Sequence, residues 1–273
     1  MPPEEPAGQN PPEGAILDYF LNRGASTVTL DVADSRGDVI RKYSSSDPPE
    51  RVNPDTLPYP TYWLRPEQNL SSKPGHHRFV WDLHYEPPRG ARGEGIEPVG
   101  ISIGAVYQNT PIGPRGPLVH PGFYTVRLTV DGSVLERRIE VRMDPRVRIQ
   151  AEDLRLQTDL SMECYRGYHA AQELRELIDE ALKDRSAALS VTKRRDWNAL
   201  RGTGTAGDPE VLYGGIYKIP SSEETVIGLQ HKLLYLLNLL QGADARPTSQ
   251  AVEAVQALRK TLPILEQRWK ALR

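Results

Sequence analysis

The sequence predicts an α+β chain of two domains, an immunoglobulin-like antiparallel β-sandwich followed by an antiparallel bundle of about three α-helices. Three observations lead there. Short segments before residue 148 alternate apolar and polar side chains with period two. Asp131-Gly132 lies between two such segments, the strongest local signal for a hairpin. Beyond Asp144-Pro145-Arg146 the apolar residues change to three- and four-residue spacing.

Taken in order, residues 1–14 form a Pro/Glu/Gly tail without periodicity, read as an extended lead-in. Ala15–Leu21 is the first strand. Thr27–Val32 and Val39–Tyr43 form a hairpin with Gly37 at the position that needs positive φ. After a proline-rich crossing, His77–Tyr85 is the fourth strand. A Gly/Pro loop runs from Glu86 to Pro121, with room for a short strand near Ile101–Val106. Phe123–Val130 and Val134–Val141 complete the sandwich, placed at 15–148.

The helical domain is placed at 149–273. One helix starts near Ala151, with Leu154, Leu160, Cys164, Ala171, Leu174, Ile178 and Leu182 on one face. A second opens at Ser221, which stands in capping-box spacing to Glu224, and stops at Gly242. Being apolar nearly all round, it should be the most buried helix. A third starts near Ser249 and carries Val252, Val255, Leu258, Leu262, Leu265, Trp269 and Leu272 as its stripe, with Pro263 inside it and expected to kink it. A Gly-rich connection at 201–220 joins the first two.

Composition bounds the function. The 34 basic and 36 acidic residues are interspersed and sum to −2, which gives no basic stripe for a nucleic acid. The longest apolar stretch, Leu233–Leu240, is too short to cross a bilayer, so no membrane insertion is expected. The N-terminus has neither a basic n-region nor an apolar h-region. The chain reads as cytoplasmic as written, and as extracytoplasmic if it is part of a larger exported protein. Cys164 is the single cysteine, so there is no intrachain disulfide and no thiolate cluster; we read it as a small, semi-buried helix residue.

The most unusual run is Gly75–Tyr85. Strand parity puts His77, Phe79, Trp81, Leu83 and Tyr85 on the core face, and His76, Arg78, Val80, Asp82 and His84 on the other. Asp82 and His84 have the spacing to supply two metal ligands with His76 as a distant third, or to hold Arg78 in an ion pair. The structural alternative is favoured, because no convergent partners can be located. Tyr59, Tyr62 and Trp63 are candidate sugar-stacking aromatics. Phe79, Trp81, Tyr124 and Trp269 are assigned to the core. Gly202–Gly207 matches a dinucleotide-binding pattern in letters but lacks the preceding strand. Arg36-Gly37-Asp38 reads as turn chemistry. No nucleophile elbow, zinc-protease helix or calcium-binding loop occurs, and no cofactor is expected.

Val28–Val32, Gly37–Arg41, Phe79-Val80-Trp81-Asp82 and Pro121–Val126 together resemble the immunoglobulin-like module of the flagellar hook-capping family. More closely, the chain resembles the C-terminal region of large bacterial proteins with sortilin-like or sialidase-type β-propeller repeats, often labelled glycosyl hydrolases. The segments that carry this are Asn10–Ala15, Gly75–Leu83, Pro121–Tyr124, Met143–Val147 and Arg246-Pro247-Thr248. The resemblance implies that catalysis would reside on a propeller, and it transfers no catalytic residue here; the sequence shows no Asp-box and no repeat of about 40 residues. The leading expectation is a non-catalytic accessory module that packs against a β-propeller domain or another protein. The alternatives are a glycan-directed hydrolase and a carbohydrate-binding sandwich.

Overall fold

The computed structural model describes residues 12–49, 54, 60–90, 108–110, 114–183, 190–202 and 224–273. Among these residues it is a mixed α+β chain with six strands in two antiparallel sheets and four α-helices. The expected strand at Ile101–Val106 lies outside the described residues, as do Tyr59 and most of the Gly-rich connection. The chain divides into two compact units that interleave in sequence. Met1–Pro49, Glu67–His84 and Gly122–Glu140 make one; Glu50–Pro66, Tyr85–Pro121 and Val141–Arg273 make the other. The sequence reading, by contrast, places one boundary near Arg148.

In the strand unit, β1 (Ala15–Leu21) pairs with β4 (Gly75–Trp81) from Ala15↔Trp81 to Leu21↔Gly75. The second sheet has the order β3-β2-β5-β6, built from β2 (Val28–Ala33), β3 (Val39–Ser44), β5 (Gly122–Val130) and β6 (Ser133–Val141). The chain therefore changes sheet three times, after β1, β3 and β4. Alternation in β2 buries Val28, Leu30 and Val32, which meet β5 residue for residue. Two aromatic contacts tie the sheets together: Tyr43 meets Phe79 edge-on at 4.6 Å, and Trp81 meets Tyr124 at 5.5 Å. Phe79, Trp81 and Tyr124 are all buried.

The turns follow local chemistry. Gly37 has φ of 90°. At the β5–β6 turn Asp131 and Gly132 have φ of 48° and 86°, the left-handed pair that a two-residue hairpin needs and that Gly supplies without strain. The Asp131 carboxylate also accepts the backbone N–H groups of Ser26 and Thr27 at 2.8 and 3.0 Å, which fastens the turn to the entry of β2.

The fourth strand differs from expectation. It ends at Trp81, not Tyr85, because β1 begins at Ala15 and offers no partner further on. Local hydrogen bonds then take over. Leu83 turns with φ of 61°, the Asp82 carboxylate accepts the His84 N–H at 3.3 Å, and His84 Nδ1 donates to the Asp82 carbonyl at 2.6 Å. His84 is thereby buried rather than exposed beside Arg78.

The helical unit holds α1 (Ala151–Lys183), α2 (Val191–Arg201), α3 (Val226–Leu240) and α4 (Ser249–Leu272). The count exceeds the expected three by α2, whose polar surface hides two core residues, Trp197 and Leu200. Trp197 meets Trp269 of α4 edge-on at 5.2 Å. Side-chain hydroxyls cap three helices: Ser190 accepts from Lys193, Thr225 from Gly228 and Thr248 from Ala251. Thr225, not Ser221, starts α3; Ser221 lies outside the described residues. α3 is buried on nearly every side and crosses α1 where Gly167 leaves room, since a Cβ there would stand 3.2 Å from Leu233. Pro263 sits inside α4, which continues past it to bury Leu265 and Trp269. Arg89 and Leu118 join this unit through the Tyr168 hydroxyl, which donates to the Arg89 carbonyl at 3.0 Å, and through a Leu118 N–H bond to the Gln241 side chain. No helix among the described residues is long and apolar enough to cross a membrane.

Two outcomes are expected from this packing. Trp81→Ala should cost about 3–5 kcal/mol in a urea titration, while His76→Ala on the exposed face changes stability by less than about 0.5 kcal/mol. A fragment of residues 149–273 keeps all of the helical core and should give a helical circular dichroism spectrum. In that fragment Tyr168→Phe should be neutral, because the Arg89 carbonyl is gone, whereas in the whole chain it should lower the melting temperature.

Candidate interaction site

The outward face of the β1–β4 sheet gathers residues that local sequence kept apart. Alternation in β1 sends Leu17, Tyr19 and Leu21 inward and Ile16, Asp18 and Phe20 outward. The register sets Ile16 opposite Val80, Asp18 opposite Arg78, and Phe20 opposite His76. The result is three rows, with a charge pair in the middle and an apolar residue on each side.

The charge pair is bidentate. Arg78 Nε and Nη2 donate to the two oxygens of Asp18, each at 2.8 Å. The Arg78 guanidinium, chiefly through these hydrogen bonds, holds the Asp18 carboxyl below the ordinary carboxylate range, and Asp18 in turn raises Arg78. Both side chains remain substantially exposed. Beside them Phe20 is 65% exposed and Ile16 is 45% exposed. Solvent-facing positions of an antiparallel sheet usually carry polar side chains, so two large apolar groups there are informative.

The remaining predicted site residues separate. His76 and Arg78 belong to this face; Asp82 and His84 do not, being engaged with each other in the turn after β4. Arg78 has its ion-pair partner in Asp18 on the neighbouring strand. Tyr62 and Trp63 lie in a 3₁₀ turn at Thr61–Trp63, where Tyr62 is exposed and Trp63 half-buried. That turn is tied to residues 108–110 by backbone bonds at Thr110 and by Arg65, which donates twice to Asn109 at 3.0 and 2.7 Å. These aromatics therefore belong to the helical unit.

Three further sequence features resolve into structure. Asp34 accepts from the backbone of Arg36 and Asp38, so Arg36-Gly37-Asp38 is held as a turn. Gly202 closes α2 with φ of 91°, and the rest of the glycine pattern lies outside the described residues. Cys164 is fully buried; loss of solvation, with the charge of Glu163 adding to it, pushes its thiol up to about 12. Among the described residues no three His, Cys, Asp or Glu side chains gather as a metal site.

Sequence reading missed Ile16, Asp18 and Phe20. The signal was present: β1 is apolar on both parities apart from Asp18, which is more than a half-buried strand needs. It also missed a polar set inside the helical unit. Gln230 of α3 is fully buried and donates to Gln172 of α1 at 2.7 Å, while Arg201 of α2 reaches Asp179 of α1. A scan against protein-family models found no match, and neither a search of curated proteins nor one of solved structures found any.

Asp18 should titrate below the ordinary carboxylate range in an NMR pH series, and Arg78→Ala should return it to that range. Because its folded-state value is lowered, the pair stabilises the fold above the unfolded carboxylate range, and that contribution disappears as pH falls through the lowered midpoint. The stability difference between wild type and Arg78→Ala should therefore shrink toward zero in acid.

Proposed function

We propose that this chain is a non-catalytic interaction module whose strand unit docks a protein through the outer face of β1 and β4. The observation that carries this is Phe20, a large aromatic held 65% exposed on a rigid strand beside a preformed arginine–carboxylate pair. Aromatic residues and arginine dominate the energetic centres of protein interfaces, and a strand pays little conformational entropy to present them. The Asp18–Arg78 pair is already satisfied, so burying it costs less than burying either charge alone.

The reading of the strand unit as an immunoglobulin-like sandwich is supported by two sheets that alternate along the chain and by the Tyr43–Phe79 and Trp81–Tyr124 contacts. The partner class follows from the resemblance: a β-propeller domain, in the same polypeptide or in a separate chain. A second reading, glycan binding, draws on exposed Tyr62 beside Trp63. A glycan array separates the two, since only the second expects Tyr62→Ala to abolish a signal.

With a propeller domain supplied in trans, titration calorimetry should give a complex that Phe20→Asp weakens by about a hundredfold, the scale of a lost interface anchor. Binding that is indifferent to Phe20→Asp and Ile16→Asp would remove this face from the interface.

A further inference from the structure

Among the described residues the strand β6 is the outermost of its sheet, and Ser133 through Arg138 are exposed on both faces, with Val134 at 53% and Leu135 at 60%. An edge strand carries a row of backbone N–H and C=O groups with no neighbouring strand to take them. The two-residue turn, with φ of 48° at Asp131 and 86° at Gly132, implies which ones: such a turn makes Val130 and Ser133 the hydrogen-bonded pair, and the backbone groups of Val134, Glu136, Arg138 and Glu140 then point away from β5. Two contacts agree with this phase. Arg127 stands opposite Glu136 and bonds it at 2.7 Å, and the Glu136 carbonyl takes the Arg137 guanidinium at 2.8 Å instead of a β5 amide.

The order of charges then singles out a partner. We propose that β6 pairs antiparallel with the β6 of a second copy of this chain about a twofold axis at Arg137, so that one sheet runs through both copies. A twofold perpendicular to the sheet must pass through a residue, and the backbone phase leaves three central choices. An axis at Glu136 sets that carboxylate against its own copy. An axis at Arg138 sets Arg138 against itself and Glu136 against Glu140. The axis at Arg137 sets Glu136 against Arg138 twice on one face, and Leu135 against Ile139 twice on the other.

This register has costs. Arg137 meets its copy at the axis, and its bond to the Glu136 carbonyl has to give way. The contact of one strand edge also buries less than the roughly 1,600 Å² of a standard interface, so the dimer is reversible. Edge strands usually avoid pairing by carrying charge of one sign; here the signs alternate and complement themselves. The inference uses the four-stranded sheet and is independent of the β1–β4 face.

Sedimentation of the full chain across concentration tests it. Wild type should show a monomer–dimer equilibrium; Glu136→Arg or Arg138→Glu alone should weaken it about tenfold or more, and the double exchange should restore it to within about threefold. Arg137→Ala should tighten the dimer, a gain that misfolding cannot produce. Under mild oxidation Arg137→Cys should crosslink to its own copy, since facing residues at the axis stand about 4.5 Å apart, whereas Leu135→Cys, some four residues from its own copy, should not. Cys164 is fully buried and adds no background. A wild-type chain that remains monomeric at about 0.5 mM overturns the proposal. So does a dimer that ignores all of these substitutions, or one in which Leu135→Cys crosslinks as fast as Arg137→Cys.

Discussion

An indole sealed from water must find a hydrogen-bond acceptor inside the protein, and the strand unit is arranged around that requirement at Trp81. Its ring has no exposed surface and packs on Tyr124 of the opposite sheet; its N–H donates to the His84 carbonyl at 3.1 Å. An acceptor three residues ahead cannot be reached along an extended strand. The chain therefore turns at Leu83, and the Asp82–His84 bonds hold it there. That turn follows the end of β4, where β1 has no further partner to offer, and brings His84 inside. It also leaves Arg78 and Val80 as the last outward positions of the strand, where Asp18 and Ile16 meet them. One buried polar atom thus shapes the turn that follows a core strand, while the pairing with β1 sets where that strand ends.

The helical unit solves a different problem. α3 is so apolar that burial alone would let it rotate against α1 with little penalty, since leucine meets leucine in several arrangements. The Gln172–Gln230 bond removes that freedom. Any rotation that separates the two amides leaves a fully buried polar group unpaired, at a cost of about 1–3 kcal/mol. Gly167 works with it by admitting Leu233 at close range. The buried amides cost solvation, and what they give in return is a single register.

How much of this was legible in the sequence depends on the range of the signal. Alternation and turn residues located five of the strands to within a residue or so, because β2, β5 and both hairpin turns are dictated by neighbours in sequence. The fourth strand ran too far because parity says which face a residue takes but nothing about where its partner strand begins; only the pairing Ala15↔Trp81 supplies that. Arg194–Arg201 reads as helical and polar but does not count as a bundle helix in the sequence, since Trp197 and Leu200 are just two apolar positions among charges. Asp18 and Arg78 are 60 residues apart. No local pattern carries the register of two strands so far separated, and so the candidate face emerged only once β1 and β4 were placed side by side.

The two surfaces of the strand unit carry their charges in opposite ways, and this determines what each is able to recognise. On the β1–β4 face the arginine and carboxylate satisfy one another across a pair of strands, which leaves Phe20 and Ile16 as the groups with surface still to bury. On the proposed docking, recognition there would rest on apolar shape, with the ion pair as a polar frame around it. Along β6 the charges lie in a row beside backbone groups that point away from β5, and a strand with the reversed order of signs is the one that fits them on the proposed pairing. The same alternating sequence, read in the opposite direction, has that order. A surface of the first kind selects a partner by the pocket it offers; one of the second kind selects by register. Under the two proposals a single small unit would hold a different chain on one sheet while pairing with its own copy on the other, without either contact competing for the same side chains.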